Sequence, residues 1–153
     1  MGLGNDIQGS RAYINQLSLE LIHLLLEKQQ YNLVLIGDKN DAKRNNFYFD
    51  QIPQELRGRI LNYSGKTDVG THINIIKKLD VLITIDTSPM HVAVMVLTPF
   101  IVLLGKSTSA FSTVQPKVDF GVYLKRENNL LDDSLFISQI TPLEIIAQIE
   151  SFF

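Results

Sequence analysis

The sequence predicts an α/β domain: a three-layer α/β/α, Rossmann-like parallel sheet with helices on both faces. Three observations carry that expectation. Short, mainly apolar runs recur at Leu33–Ile36, Val81–Ile85 and Phe100–Leu104, and such runs suit strands buried on both sides. Stretches of helical period separate them. Glycines and capping residues punctuate the junctions. Alternation of this kind builds βαβ units, whose right-handed crossovers put every strand-to-helix loop at one rim of the sheet. Ligands bind at that rim in open α/β sheets.

Taken in order, Ile14 to Lys28 has apolar residues at Ile14, Leu17, Leu21, Leu24 and Leu25, one face of a helix. Glu20, His23 and Glu27 fall on the opposite stripe, which makes His23 a solvated residue rather than a ligand. Leu33 to Ile36 is the first strand and closes on Gly37. Asn40 to Asp50 reads as a polar helix leading to Pro53, and Ile60 to Tyr63 as a weaker strand. Thr71 is placed to cap a helix running to Leu79. Val81 to Ile85 is a buried strand, Ser88 to Leu97 a helix and Phe100 to Leu104 a further strand. Gly121 to Leu124 is the last strand, and Thr141-Pro142-Leu143-Glu144 opens a closing helix with a cap and a proline at its first position.

The chain of 153 residues is 45% hydrophobic and 20% charged, which fits one globular domain, residues 1–153, with no linker or repeat. A net charge of −2 leaves no electrostatic footprint for nucleic acid or an anionic bilayer. Absence of cysteine removes disulfides, thiolate nucleophiles and Cys-ligated metals, and three scattered histidines make no metal cage. No apolar run approaches the roughly 18 residues of a membrane span, and the first residues carry neither a signal core nor the myristoylation pattern. A cytoplasmic domain is the expectation.

The most informative stretch is Asp80 to Lys106. A buried strand ends in Asp86, turns through Thr87 and Ser88, and Pro89 starts a helix. Thr87 or Ser88 can cap that helix, and its N-terminal N–H groups with the positive end of its dipole suit a phosphate or diphosphate. Asp86 would repel a phosphate at close range, so it holds the turn or binds a sugar hydroxyl. His91 sits in the first helical turn, where the dipole favours a neutral ring that can donate to a phosphate or sugar oxygen. The plainer alternative is that these residues only cap the helix while His91 packs underneath.

Gly65-Lys66-Thr67 and Gly105-Lys106-Ser107 resemble the end of a phosphate-binding loop. The glycine that loop needs five positions earlier is replaced by Ile60 and Phe100. Both lysines follow strands and either reach the ligand rim or are ordinary solvated charges. The dinucleotide glycine fingerprint is absent from every strand–helix turn.

Asp86-Thr87-Ser88-Pro89-Met90-His91, with Ala93, Thr98-Pro99 and Leu104-Gly105 downstream, resembles glycosyltransferase family 9, the ADP-heptose lipopolysaccharide heptosyltransferases. Asn62 to Thr67, Leu33 to Gly37 and the closing helix match that family in order and spacing, so the resemblance spans roughly residues 10 to 153. It implies the C-terminal, nucleotide-sugar-binding half of a two-domain GT-B enzyme. On that resemblance Asp86, Thr87, Ser88 and His91 hold the donor's diphosphate and sugar, and Lys66 and Thr67 lie against the adenine. Arg11, next to Tyr13, contacts phosphate, Asp41 binds the ribose, and Lys106 adds a phosphate contact. Transfer in the family is inverting and needs no metal or other cofactor. The acceptor, lipopolysaccharide core, implies peripheral contact with the inner-membrane face.

Two positions depart from the family pattern: Ser88 replaces a glycine that admits the diphosphate, and Lys106 replaces a proline. The acceptor domain, which supplies the catalytic base in the family, is expected to be missing here together with this domain's first strand. The catalytic residues are therefore expected outside this chain, which is read as a fragment or one half of a split enzyme, with a homodimer or partner chain as its companion. A non-catalytic remnant or interaction module of the same fold is the rival reading, and a phosphotransfer enzyme a weaker one.

Overall fold

The structure is a computed structural model and describes residues 1–3, 12–105, 118–126 and 137–153. Helix α1 (Asn15–Glu27) leads to β1 (Leu33–Leu35), α2 (Lys39–Gln51), a 3-10 turn (Gln54–Arg59) and β2 (Ile60–Asn62). Then come α3 (Val69–Lys77), β3 (Leu82–Ile85), α4 (Ser88–Val96), β4 (Phe100–Leu103), β5 (Gly121–Leu124) and α5 (Pro142–Glu150).

All strand pairs are parallel: β1 with β2, β3 with β4, and β4 with β5. The first three residues join the two groups. Met1 donates its amine to Val34 O at 2.5 Å and accepts from Ile36 N at 3.1 Å. Gly2 donates to Ile83 O at 3.0 Å and bridges Thr84 in parallel. Counting that segment as the first strand, the order becomes third, second, first, fourth, fifth, sixth. This is the order of doubly wound nucleotide-binding sheets, whose switch point lies beside the first strand. Met1 to Leu3 thus sit where the sequence reading placed a missing strand.

Alternation sorts the strands' side chains onto two faces. Ile83, Ile85, Ile101 and Leu103 pack with Leu21, Ile22, Leu25 and Leu26 of α1 and with Ile145, Ile146 and Ile149 of α5. Leu82, Phe100 and Val102 pack on the other face with Ile76 of α3 and with Met90 and Ala93 of α4. Phe100 meets Phe120 and Tyr123 edge-on at centroid distances of 6.0 and 5.6 Å. Its ring takes the space of a side chain at Gly121, where a Cβ would lie 2.4 Å from Phe100 Cζ.

Several local expectations need correction. Ile14 is exposed and precedes α1, whose buried face is Ser18, Leu21, Ile22, Leu25 and Leu26. His23 is half-buried rather than fully solvated. Asp68, not Thr71, caps α3: its carboxylate accepts Thr71 N at 2.6 Å, so the helix begins earlier than expected. The closing helix is capped as expected, with Thr141 and Glu144 forming a capping box and Pro142 at its start.

Candidate functional site

The parallel strands β1, β2 and β3 deliver three described loops to one rim. At the end of β1, Gly37 leads into Asp38, which caps α2 by accepting Asn40 N at 2.7 Å and Asp41 N at 3.1 Å. Asp41 completes the box by accepting Asp38 N at 3.0 Å. The half-buried Asp41 carboxyl is raised above the ordinary aspartate range, chiefly by desolvation. Gly37 allows this closeness: a Cβ there would lie 2.5 Å from Asp41 Cβ. Asp41 therefore has a capping partner, a use that competes with a ribose.

At the end of β2, Gly65 takes φ +70, a left-handed conformation that glycine adopts without strain. Gly65 N donates to Gly37 O at 3.0 Å, which ties the β2 loop to the β1 loop. Ser64 beneath it is buried and accepts Asn45 Nδ2 at 2.6 Å. Lys66 is exposed, with Nζ donating to Asn62 O at 2.9 Å, and Thr67 is half-buried beside it. Lys66, Thr67 and Asp41 thus share one corner of the rim.

Across the switch point, β3 ends in Ile85 and the chain turns at Asp86. Asp86 is half-buried; Thr87, Ser88 and His91 are all exposed. His91 therefore does not pack underneath. The expected side-chain cap is not made either. Thr87 holds the N-cap position, but its hydroxyl lies 3.4 Å from Ile85 O and makes no cap bond to α4. The positive end of α4 lies at this rim with no side-chain cap from its N-cap residue. Ser88 starts α4 with ordinary helical geometry, because Leu97 is the single positive-φ residue other than glycine among those described.

Sequence reading overlooked Thr84. Its buried hydroxyl donates to Ile85 O at 3.1 Å and lies 3.5 Å from Thr87 Oγ1, bracing the Asp86 corner from below. The signal was visible as one hydroxyl in an otherwise apolar strand. Arg11 and Lys106, assigned to phosphate, lie outside the described residues. Tyr13 is fully buried and donates its hydroxyl to Ile140 O at 2.6 Å. It anchors the start of α1 to the far end of the chain.

No helix among the described residues is long and apolar enough to cross a membrane. Comparison with known proteins gives a consistent picture. Over 88 residues the chain is 28% identical to lipooligosaccharide heptosyltransferase 2 of Haemophilus influenzae, covering 58% of this chain and 25% of that protein. Two solved structures share the fold. The E. coli ADP-heptose LPS heptosyltransferase II superimposes with a TM-score of 0.83 at 19% identity, covering 98% of this chain and 44% of that one. The family 9 glycosyltransferase of Veillonella parvula gives 0.79 at 17% identity, covering 99% and 44%. The chain therefore spans less than half the length of these relatives. The model of glycosyltransferase family 9 (heptosyltransferase) matches residues 19–128, most of the chain. This α/β domain belongs to glycosyltransferase family 9.

Proposed function

We propose that the chain is the donor-binding half of a heptosyltransferase-type enzyme, taking a nucleotide-diphospho-sugar, ADP-heptose in the first instance, at the rim between the first strand and β3. The observation that supports this best is the open corner at Asp86. Thr87, Ser88 and His91 of the Asp-Thr-Ser-x-x-His segment are exposed there and Asp86 is half-buried, around a helix N-terminus that its N-cap residue Thr87 does not cap. Such a terminus stabilises an anion, and the diphosphate is both the donor's charged group and the leaving group of transfer.

In this reading the N-terminal turn of α4 and His91 receive the diphosphate, with Arg11 and Lys106 adding positive charge. Asp86 takes a sugar hydroxyl. Lys66 and Thr67 flank the base, and Asp41 or its neighbour Asp38 the ribose. The acceptor hydroxyl attacks the anomeric carbon from the opposite side, the bond to the diphosphate breaks, and configuration inverts. The proton leaves to a base on the acceptor-binding half of the complete enzyme. Lipopolysaccharide core as acceptor, and work in the cytoplasm at the inner-membrane face, follow from the same family reading.

Thermal unfolding tests it. ADP and ADP-heptose should each raise Tm, and Asp86→Ala should abolish the gain from ADP-heptose while leaving the unliganded Tm within a few degrees. A Tm indifferent to ADP, UDP and GDP sugars alike would leave the domain as a remnant that kept the sheet and lost its pocket.

A further inference from the structure

Beneath the Asp86 corner lies a second hydroxyl, that of Thr84. The residue is fully buried in β3 and stands opposite Val102 of β4. Strand alternation puts its side chain on the same face as Leu82, the face that α3 and α4 cover. For packing alone, valine would fill that place with nearly the same shape and bury no polar atom. A buried hydroxyl costs free energy unless it is hydrogen-bonded, so its partners say what it is for.

Those partners lie at the corner. Thr84 Oγ1 donates to Ile85 O at 3.1 Å and lies 3.5 Å from Thr87 Oγ1. Thr87 Oγ1 donates to the same carbonyl from 3.4 Å. Ile85 O therefore has two hydroxyl donors, a close one that is buried and a long one whose residue is exposed. Hydroxyl hydrogen bonds usually measure about 2.5–3.0 Å, so the Thr87 hydroxyl is held weakly. Its single proton can leave Ile85 O for a ligand at small cost, provided that the carbonyl keeps a donor. Thr84 is that donor.

We infer that Thr84 is a positioning residue for the donor: it keeps Ile85 O hydrogen-bonded while the Thr87 hydroxyl turns outward and donates to a diphosphate oxygen. The inference rests on the donor-binding reading above and adds the group that sets Thr87 free. In the unliganded protein both hydroxyls donate to Ile85 O. With the donor bound, Thr84 Oγ1 still donates to Ile85 O and Thr87 Oγ1 donates to the phosphate, so every hydroxyl proton has an acceptor and the carbonyl keeps a donor. Without the Thr84 hydroxyl, the same turn strips Ile85 O of its remaining hydroxyl, and a buried acceptor left that way is costly. Binding then has to work against the corner instead of with it.

Titration calorimetry with ADP on the full chain, beside thermal unfolding, tests this with Thr84→Val, Thr84→Ser and Thr87→Val. Thr84→Val should weaken ADP binding about tenfold, the size of one buried carbonyl losing its donor, and leave the unliganded Tm equal or higher. Thr84→Ser keeps the hydroxyl and should bind within about twofold of the unsubstituted chain. Thr87→Val should weaken binding by itself, and Thr84→Val added to it should cost no further affinity, because no turn of Thr87 remains to be compensated. Undiminished affinity in Thr84→Val, failure of Thr84→Ser to restore it, a second loss of the same size in the double variant, or a Tm that falls in step with affinity overturns the inference and leaves the donor site standing. An unsubstituted chain that binds neither ADP nor ADP-heptose overturns the donor reading, and the inference with it.

Discussion

The two rims of this sheet are built from the same strands and share almost no chemistry. At the upper rim β1, β2 and β3 each feed a helix N-terminus, and the loops hold Gly37, Asp38, Gly65, Asp68 and the Asp86 corner. Two of those helices, α2 and α3, are capped by aspartates, while α4 is left without a side-chain cap. At the lower rim the strands begin, and the surface is Leu33, Val81, Ile83 and Phe153 around a buried amine. A parallel sheet with right-handed crossovers points all its crossover helices the same way, so dipoles and caps accumulate at one edge. The polar edge carries the proposed donor site, and the apolar edge holds a buried amine.

The largest way to stress that contrast is pH, acting on the lower rim. The Met1 amine has a folded pKa of about 5 against about 8 unfolded, because burial disfavours its charge. Between those values the unfolded chain holds a proton that the folded chain lacks, so stability rises with pH across the window and levels off above 8. Three pH units correspond to about 4 kcal/mol. Urea unfolding of the chain starting at Met1 should show that rise, and N-terminal acetylation should flatten it.

A medium effect is expected at the upper rim. Gly37→Ala drives a Cβ to within 2.5 Å of Asp41 Cβ and forces the capping box open. The expected loss is about 1–3 kcal/mol, with the ADP-heptose response weakened and the pH dependence from Met1 intact. Should both features change together, the rims are coupled and the division drawn above is wrong.

The smallest effect tests the sheet's flank, between the rims. Leu97 ends α4 at φ 61 and is 73% exposed, a left-handed position without a packing return. Leu97→Gly should stabilise by about 1 kcal/mol and leave nucleotide response and pH profile unchanged. Denaturant midpoints resolve a change of that size.

The elements with strong periods were legible. Gly121–Leu124 has the bounds expected from its sequence, and β3, α4 and β4 differ from expectation by a residue at an end. Their burial is dictated locally, since an unbroken apolar run has no soluble alternative. The Asp86 corner was legible too, as a strand followed by Pro89 in a first helical turn. Its actual cap was not, because Thr87 finds Ile85 O closer to hand than a helix N–H, and that is decided by loop geometry. Asp41 shows the same limit: a carboxylate near a strand end reads as a ligand, yet the turn of Gly37 brings it onto the Asp38 N–H.

What the sequence determined by itself is the alternation of buried strands and amphipathic helices, and with it a layered parallel sheet whose loops gather at one rim. Hydrophobic periodicity suffices for that, because each segment's burial is written in its own residues. The place of Met1–Leu3 in the middle of the sheet was a tertiary decision. Three residues carry no period, and their position is set by the backbone groups of β1 and β3, which lie far away along the chain and converge only when the domain folds.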